Sequence, residues 1–417
     1  MAEAANPKPI ILLTGASNWK GLKVVDTDSL SDRVVLWSRK VKSLPINRAL
    51  NIGVDARVLA HPHCGIGRYA TSLVREFASQ QSPHRVFLYS HRPFQLGFPL
   101  PEHWKVRAGA AHRSGLSTVF AQLFFPVWAL MDAIDVFWSP FPQLPVLLPP
   151  RIRKVLTVHD VVRRRFPTTM TRGTLVKEAL LTPLSLRIAD HLVADSHFTR
   201  SEVMTFFPGA GCKIDVVYLA SSLRTDGAMG TCPLSAPYFL FVGSYEPRKN
   251  IKRMLHAYVQ YRTSCLSPLD LVVVGSGQWG DFSVFDFTQT SNLQSCVHLI
   301  RHVDDSVLRA LYAHAQALVL VSLYEGFGLP LVEAMQWGIP LIASNTSALA
   351  EIAGDAALLV DPNDTDAIAK AFGRMTEDVT MRQELSHKAE ARGRQFSWKK
   401  AASESMALIV GDRASTK

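Results

Sequence analysis

The feature that most constrains this chain is a rhythm. Short runs of β-branched and aromatic residues are each followed by a stretch with helical periodicity. The runs "LNIGVDA" (50–56), "RVFLYS" (85–90), "DVFWSP" (135–140), "KVLTVHD" (154–160) and "HLVADS" (191–196) are largely apolar, with helical stretches such as "GRYATSLVREFASQ" between them. Such runs fit strands covered on both faces, as in a parallel sheet. A passage spotted with glycine and proline, "RTDGAMGTCPLSAP" (224–237), has linker composition. The rhythm then restarts with "YFLFVGS", "LDLVVVGSG", "CVHLI", "ALVLVS", "PLIAS" and "AALLVDP". The expected fold class is therefore α/β, with two Rossmann-like αβα domains over 48–225 and 236–396. A helical segment, "SWKKAASESMALIV", follows within 397–417 and is expected to pack back on the first domain. Residues 1–47 are an appendage whose role the sequence does not indicate.

A chain of 417 residues exceeds what one hydrophobic core usually serves, which agrees with two domains. The five cysteines (Cys64, Cys212, Cys232, Cys265, Cys296) are scattered, with no CxxC pair, and no histidine cluster has zinc spacing, so a reducing compartment fits best and no metal ligands are expected. The N-terminus is a poor signal peptide, because its short apolar run is broken at Gly15. The greasiest region, 118–150, is interrupted by Asp132, Asp135 and several prolines. It falls short of the roughly 20 apolar residues of a bilayer span and reads as core, or at most as a membrane-touching surface. Together these features suggest a cytoplasmic protein.

The net charge of +10 is unevenly placed: residues 48–225 hold 21 Lys and Arg against 11 Asp and Glu, whereas residues 226–417 hold 17 against 20. The basic half suits an anionic membrane surface or a polyphosphate lipid, or is an ordinary solvated face. Nucleic acid is not expected, since "RIRK" (151–154) and "RRR" (163–165) lack a reader motif around them.

A dehydrogenase is a competing possibility. "ILLTGAS" (11–17) looks like a strand running into a phosphate loop, but the glycine fingerprint fails after it. Tyr245 and Lys249 have the spacing of a Tyr-x-x-x-Lys pair, yet Pro247 between them breaks the helix that would align them.

Chemistry concentrates in "SLYEGFGLPLVEAMQWGIPLIAS" (322–344), where Glu325 and Glu333 stand in an otherwise apolar run. Buried carboxylates require partners. The stretch reads as a strand, a turn with Gly326 and Gly328, and a helix with Pro330 in its first turn and Gly338 at its stop. Strand, loop and helix N-terminus in that order favour phosphate. A capping acid plus a helix-dipole acid would also account for the pair. Elsewhere, "YFLFVGSYEPRKNI" (238–251) presents Arg248 and Lys249 at a strand's end, two cations suited to a diphosphate. "HPHCGIGRYATSL" (61–73) places Gly65 and Gly67 before a helix, and Arg68 fits either an acceptor phosphate or the surface. In "VLTVHDVV" (155–162), His159 ends an apolar strand; Ser196 and Thr199 in "ADSHFTRSEV" fit helix caps.

The string Glu325-Gly326-Phe327-Gly328-Leu329-Pro330, then Glu333-Ala334-Met335, Gly338, Pro340 and "LAEIAGDAALLVDP" (349–362), resembles the Glu-x7-Glu signature of family 4 retaining glycosyltransferases. The resemblance spans most of 50–410. It implies the GT-B architecture of two facing Rossmann-like domains with a cleft between them and a C-terminal crossover helix. It further implies that Glu325 contacts donor-sugar hydroxyls and Glu333 the ribose, while Gly326, Phe327, Gly328 and Leu329 line the sugar or diphosphate. Arg248 and Lys249 would neutralise the diphosphate without a metal, and His159 would reach the donor across the cleft, with Asp160 orienting it or meeting the acceptor. Gly65 and Gly67 would form the facing phosphate loop, although this chain has Cys64 where the family often has glycine. Base contacts are expected near 272–281 and around Arg301 to Val303. "VDARVLAHPHCGIGRY" further resembles bacterial mannosyltransferases of surface-polysaccharide synthesis. GDP-mannose is the favoured donor, with UDP-glucose or another hexose donor open, and no cofactor is implied. The acceptor would be a glycan or a polyprenyl-diphosphate-linked oligosaccharide at the inner face of the plasma membrane. A sugar-nucleotide-binding protein without turnover is the alternative from another class.

Overall fold

In the computed structural model, residues 48–412 are described apart from 62–63, 81, 112–115, 168–171, 224, 236, 276 and 278–281. The appendage at 1–47, including "ILLTGAS", and most of "SGQWGD" lie outside the described residues.

The first sheet has seven parallel strands: β1 (Asn51–Asp55), β2 (Arg85–Ser90), β3 (Lys105–Ala108), β4 (Val136–Ser139), β5 (Arg153–Val158), β6 (His191–Ala194) and β7 (Ile214–Val216). Their spatial order is β3-β2-β1-β4-β5-β6-β7. Six more, β8 (Tyr238–Val242), β9 (Asp270–Val274), β10 (Val297–Ile300), β11 (Ala315–Leu320), β12 (Leu341–Ser344) and β13 (Ala357–Val360), form a second parallel sheet in the order β10-β9-β8-β11-β12-β13. Helices α1 (Gly65–Ser79), α2 (Ser117–Met131), α3 (Val162–Arg165), α4 (Arg172–Ile188) and α5 (His197–Phe206) go with the first sheet. The second carries α6 (Ile251–Ser264), α7 (Val284–Thr290), α8 (Asp305–His314), α9 (Leu329–Gln336), α10 (Ser347–Ala353), α11 (Thr365–Glu377) and α12 (Val379–Gly393). The expected α/β class holds. β3 and β7, absent from the sequence reading, are short edge strands, and β3 is mostly exposed, so neither carries an apolar run.

Apolar residues cover both faces of the first sheet. Along β1, β2 and β4, residues such as Ile52, Leu88 and Trp138 face one core, while Phe87, Tyr89 and Phe137 face another beneath α2. The first core continues through Val217–Leu223 into the second sheet. The last helix, α13 (Trp398–Val410), packs on α1, β4 and β6, and Trp398 Nε1 donates to the Ser221 carbonyl at 2.8 Å. The crossover expected of "SWKKAASESMALIV" is therefore present.

Strand order positions the chemistry. Each sheet reverses direction beside its first strand, between β1 and β4 and between β8 and β11. Loops at the carboxyl ends of such strands diverge and leave a crevice for ligands.

Candidate active site

Arg248 and Lys249 follow β8, and Glu325 follows β11, its neighbour across the second sheet's reversal point. The loops are zipped together: Leu323 N donates to Arg248 O at 2.7 Å, and Asn250 Nδ2 donates to Val321 O at 3.0 Å. Residues about 76 apart in sequence thus meet. Arg248 Nη1 donates to Glu325 Oε2 at 2.8 Å, Lys249 Nζ to Glu325 Oε1, and Ser322 Oγ to the same oxygen at 3.0 Å. Arg248 Nε also bonds Glu246 Oε2 at 2.7 Å. The first partners of Glu325 are therefore protein cations, not the sugar hydroxyls that the sequence reading supplied. Each carboxylate oxygen accepts about two hydrogen bonds, so Oε2 keeps room for one more donor.

The "EGFG" turn sits hard against the first sheet. A Cβ on Gly326 would lie 1.9 Å from the His159 carbonyl oxygen, so no other residue fits there. Ser196 Oγ and Thr199 Oγ1 donate to Gly326 O at 2.7 and 3.0 Å. Ser196 also caps α5, as expected, accepting from Thr199 N. Tyr324 OH accepts from Val161 N at 3.1 Å. Glu351, on α10, takes the His197 and Phe198 amides of α5 on its two oxygens, both at 2.8 Å. Phe327 is buried beside Tyr218 and Phe396; Gly328 is the left-handed N-cap of α9, and Leu329 its first residue.

His159 departs from expectation. Nδ1 faces Asp195 Oδ2 at 2.5 Å and Nε2 faces the Pro140 carbonyl at 2.7 Å. Both ring nitrogens are engaged by the protein, so neither is free to reach across to a donor. Asp195, not Asp160, orients the ring; Asp160 Oδ1 accepts from Val162 N at 3.0 Å. The glycines after β1 also divide. Gly65 is open on its Cβ side, whereas a Cβ on Gly67 would meet the chain's own His61 carbonyl at 2.1 Å. Cys64 Sγ caps the Gly67 amide at 3.3 Å, so the close approach that Gly67 permits belongs to the loop itself. Arg68 is half-buried and already partnered: it bridges to the exposed Asp305 on α8 at 2.7 Å and bonds Ser222.

Two family models match in tandem, "Glycosyltransferase Family 4" over 64–220 and "Glycosyl transferases group 1" over 231–392. The O-antigen chain mannosyltransferase B of Escherichia coli is 29% identical over 369 residues, 84% of this chain and 96% of its own length. The chain belongs to the family 4 glycosyltransferases. The O-antigen chain mannosyltransferase RfbU of Salmonella typhimurium is 26% identical over 51% of this chain and 57% of its own. Sucrose-phosphate synthase from Thermosynechococcus elongatus, at 19% identity, superposes with a TM-score of 0.67, covering 86% of this chain and 98% of that one, and has the same GT-B fold.

In this glycosyltransferase the two signature carboxylates, both buried, are set in opposite directions. Burial alone would raise the Glu325 pKa, but Lys249 and Arg248 outweigh it and hold the group down to about 2. Glu333 is raised by burial; its hydroxyl partner, Tyr312 OH at 2.8 Å from Oε2, and the Arg68 charge only partly oppose that. For Arg248, burial disfavours the cation, and Glu325 and Glu246 more than offset this. His159 is likewise raised despite burial, because Asp195 and the Pro140 carbonyl both favour the imidazolium. Tyr312, Asp195, Glu246, Tyr324 and Glu351 went unassigned in the sequence, since nothing local marks them. Of the base site, residues 272–275, Gly277 and the loop after β10, Arg301 to Val303, are described.

A cavity of about 560 Å³ lies on the first sheet's side, lined among others by Arg57, Arg163, Arg164, Lys177 and His159. It does not reach Arg248, Lys249 or Glu325. Among the described residues, no helix is long and apolar enough to cross a membrane.

Proposed function

We propose that this glycosyltransferase moves a hexose, mannose from GDP-mannose in the first instance, to a glycan or lipid-linked oligosaccharide, with retention of configuration and without a metal. The observation that carries the reading is the Glu325–Arg248–Lys249 cluster at the reversal point of the second sheet. Mannose is favoured because the two relatives above are O-antigen chain mannosyltransferases.

Arg248 and Lys249 meet the donor diphosphate, and the Glu246 and Glu325 carboxylates hold them in position. As the bond from the anomeric carbon to the phosphate oxygen breaks, negative charge grows on that oxygen, and the fixed cations stabilise it. Two cations supply charge of the kind that a divalent ion supplies in other transferases. The free lone pair on Glu325 Oε2 takes one sugar hydroxyl, and Glu333, steadied by Tyr312, takes the ribose diol. Glu325 and Glu333 are both committed to hydroxyls in this arrangement, so neither attacks the far face of the sugar. The acceptor hydroxyl instead approaches from the side the diphosphate leaves, giving its proton to the departing phosphate oxygen as its own oxygen bonds the anomeric carbon. His159 adds positive charge beside Asp195 rather than a free ring nitrogen. Acceptor phosphates enter the basic cavity of the first sheet. Contact between the "EGFG" turn and α5 excludes water, so that transfer outcompetes hydrolysis.

The test is proton NMR of the slow hydrolysis of GDP-mannose in EDTA, without acceptor. The first-formed mannose should be the α-anomer, as in the donor. A β-anomer, or turnover only after a divalent ion is added, contradicts the reading; turnover of UDP-glucose alone reassigns the donor, and no turnover favours a binding protein.

A further inference from the structure

Helix α2 is apolar all round: "STVFAQLFFPVWALM" contains no charged residue. Such a helix is ordinarily enclosed. Here only one side is, through Ala121, Phe125 and Ala129. The opposite side, at helical spacing, leaves Val119 53%, Leu123 56%, Val127 52% and Met131 66% exposed, with Phe124 and Leu130 nearly as open. The face continues sideways. Gln122 bonds Leu144 O and Val146 N, beside the exposed Leu147, and Leu144 N bonds Ser185 on α4, which presents Leu180 and Leu184.

Its rim is basic. At the C-terminal end of α2 stand Lys105 and Arg107, the latter paired with Asp132; Arg151 follows the Leu147 loop. At the N-terminal end, Ser117 and Thr118 line the cavity that also holds Arg163, Arg164 and Lys177. We propose that this face of α2 lies in the interfacial layer of an anionic phospholipid bilayer, with the basic cavity opening at headgroup level. At 15 residues the helix is about 22 Å long, short of the roughly 30 Å of hydrocarbon, so it lies along the surface rather than across it. Charge complementarity favours lipid over a second copy of the chain: a two-fold contact through this face would set basic rim against basic rim. The inference stands on this surface and not on the choice of donor.

The test is co-sedimentation of the full chain with phosphatidylcholine vesicles, with and without phosphatidylglycerol, at low and high salt. Wild type should pellet with the anionic vesicles and less so in high salt. The Leu123→Glu/Val127→Glu variant should lose binding roughly tenfold or more while keeping its melting temperature and its GDP affinity. Leu147→Glu is the second probe should the helix variant melt early. Equal pelleting of wild type and variants, or none by wild type, overturns the proposal. So does a wild-type dimer in light scattering that the variants turn into monomer, since the face would then bind a second copy. Failure of GDP to bind either protein would count against the donor reading alone.

Discussion

Glu325 and Glu333 stand eight residues apart in one segment, and both are buried, yet their surroundings treat them oppositely. The loop around Glu325 brings an ammonium, a guanidinium and a hydroxyl to one carboxylate and favours its charge. Around Glu333 on α9, α8 supplies one phenol, Tyr312, and α1 a more distant guanidinium, Arg68, and burial wins. Residue type and spacing are shared, so the difference comes from which strands lie next to β11. One carboxylate is a fixed element of a charged frame; the other is held short of donors and suited to receive hydroxyls from a ligand.

Breaking the frame should have the largest effect. Glu325→Gln removes the counter-charge of the buried Lys249 and one of the two carboxylates that hold Arg248, Glu246 being the other, and we expect a loss of about 3–5 kcal/mol in unfolding free energy together with about a hundredfold loss of turnover. Lys249→Ala should keep more of the fold, because Arg248 still neutralises Glu325, while turnover falls at least as far. Denaturant melts beside initial rates check both, and an early melt with near-normal turnover per folded molecule would break the comparison.

Glu333→Gln should do the reverse. A buried acid with a raised pKa favours its neutral form, so its contribution to stability is complete below the unfolded value of about 4.3 and is lost as pH rises through the higher folded value. At neutral pH the amide should cost nothing or stabilise the fold, while donor affinity falls about tenfold or more. Isothermal titration and thermal melts at pH 8 measure the two quantities.

The pH dependence of melting sharpens the contrast further. Glu325 is depressed in the fold, so its contribution is present above about 4.3 and disappears as pH falls towards 2. Melting temperatures between pH 3 and pH 8 should therefore show the Glu325→Gln deficit shrinking towards acid and the Glu333→Gln advantage shrinking in the same direction. The smallest effect is that of Tyr312→Phe: about 1 kcal/mol of stability or less, with a modest rise in donor KM and little change in kcat.

The fold was legible because parallel strands buried on both faces write themselves as apolar runs; β2 matches "RVFLYS" residue for residue. The edge strands β3 and β7 left no such mark. At the site, the sequence identified Glu325, Arg248 and Lys249 but not that they bond one another, because strand order across a sheet is a long-range property. The same reason hid Tyr312 from Glu333 and Asp195 from His159, and it made His159 look like a free ligand when both nitrogens are satisfied. The greasy stretch beginning at 118 is core on one side of α2, as expected, and open surface on the other.

The central claim is that the cluster of Arg248, Lys249 and Glu325 holds a sugar-nucleotide diphosphate unaided by metal. It is tested most directly by calorimetric titration of the protein with GDP, UDP, ADP and NAD in EDTA, repeated on Lys249→Ala. The account predicts that GDP binds tightly and that the substitution weakens it about tenfold or more. Binding of NAD alone, binding of no nucleotide, or GDP affinity indifferent to Lys249 would contradict it.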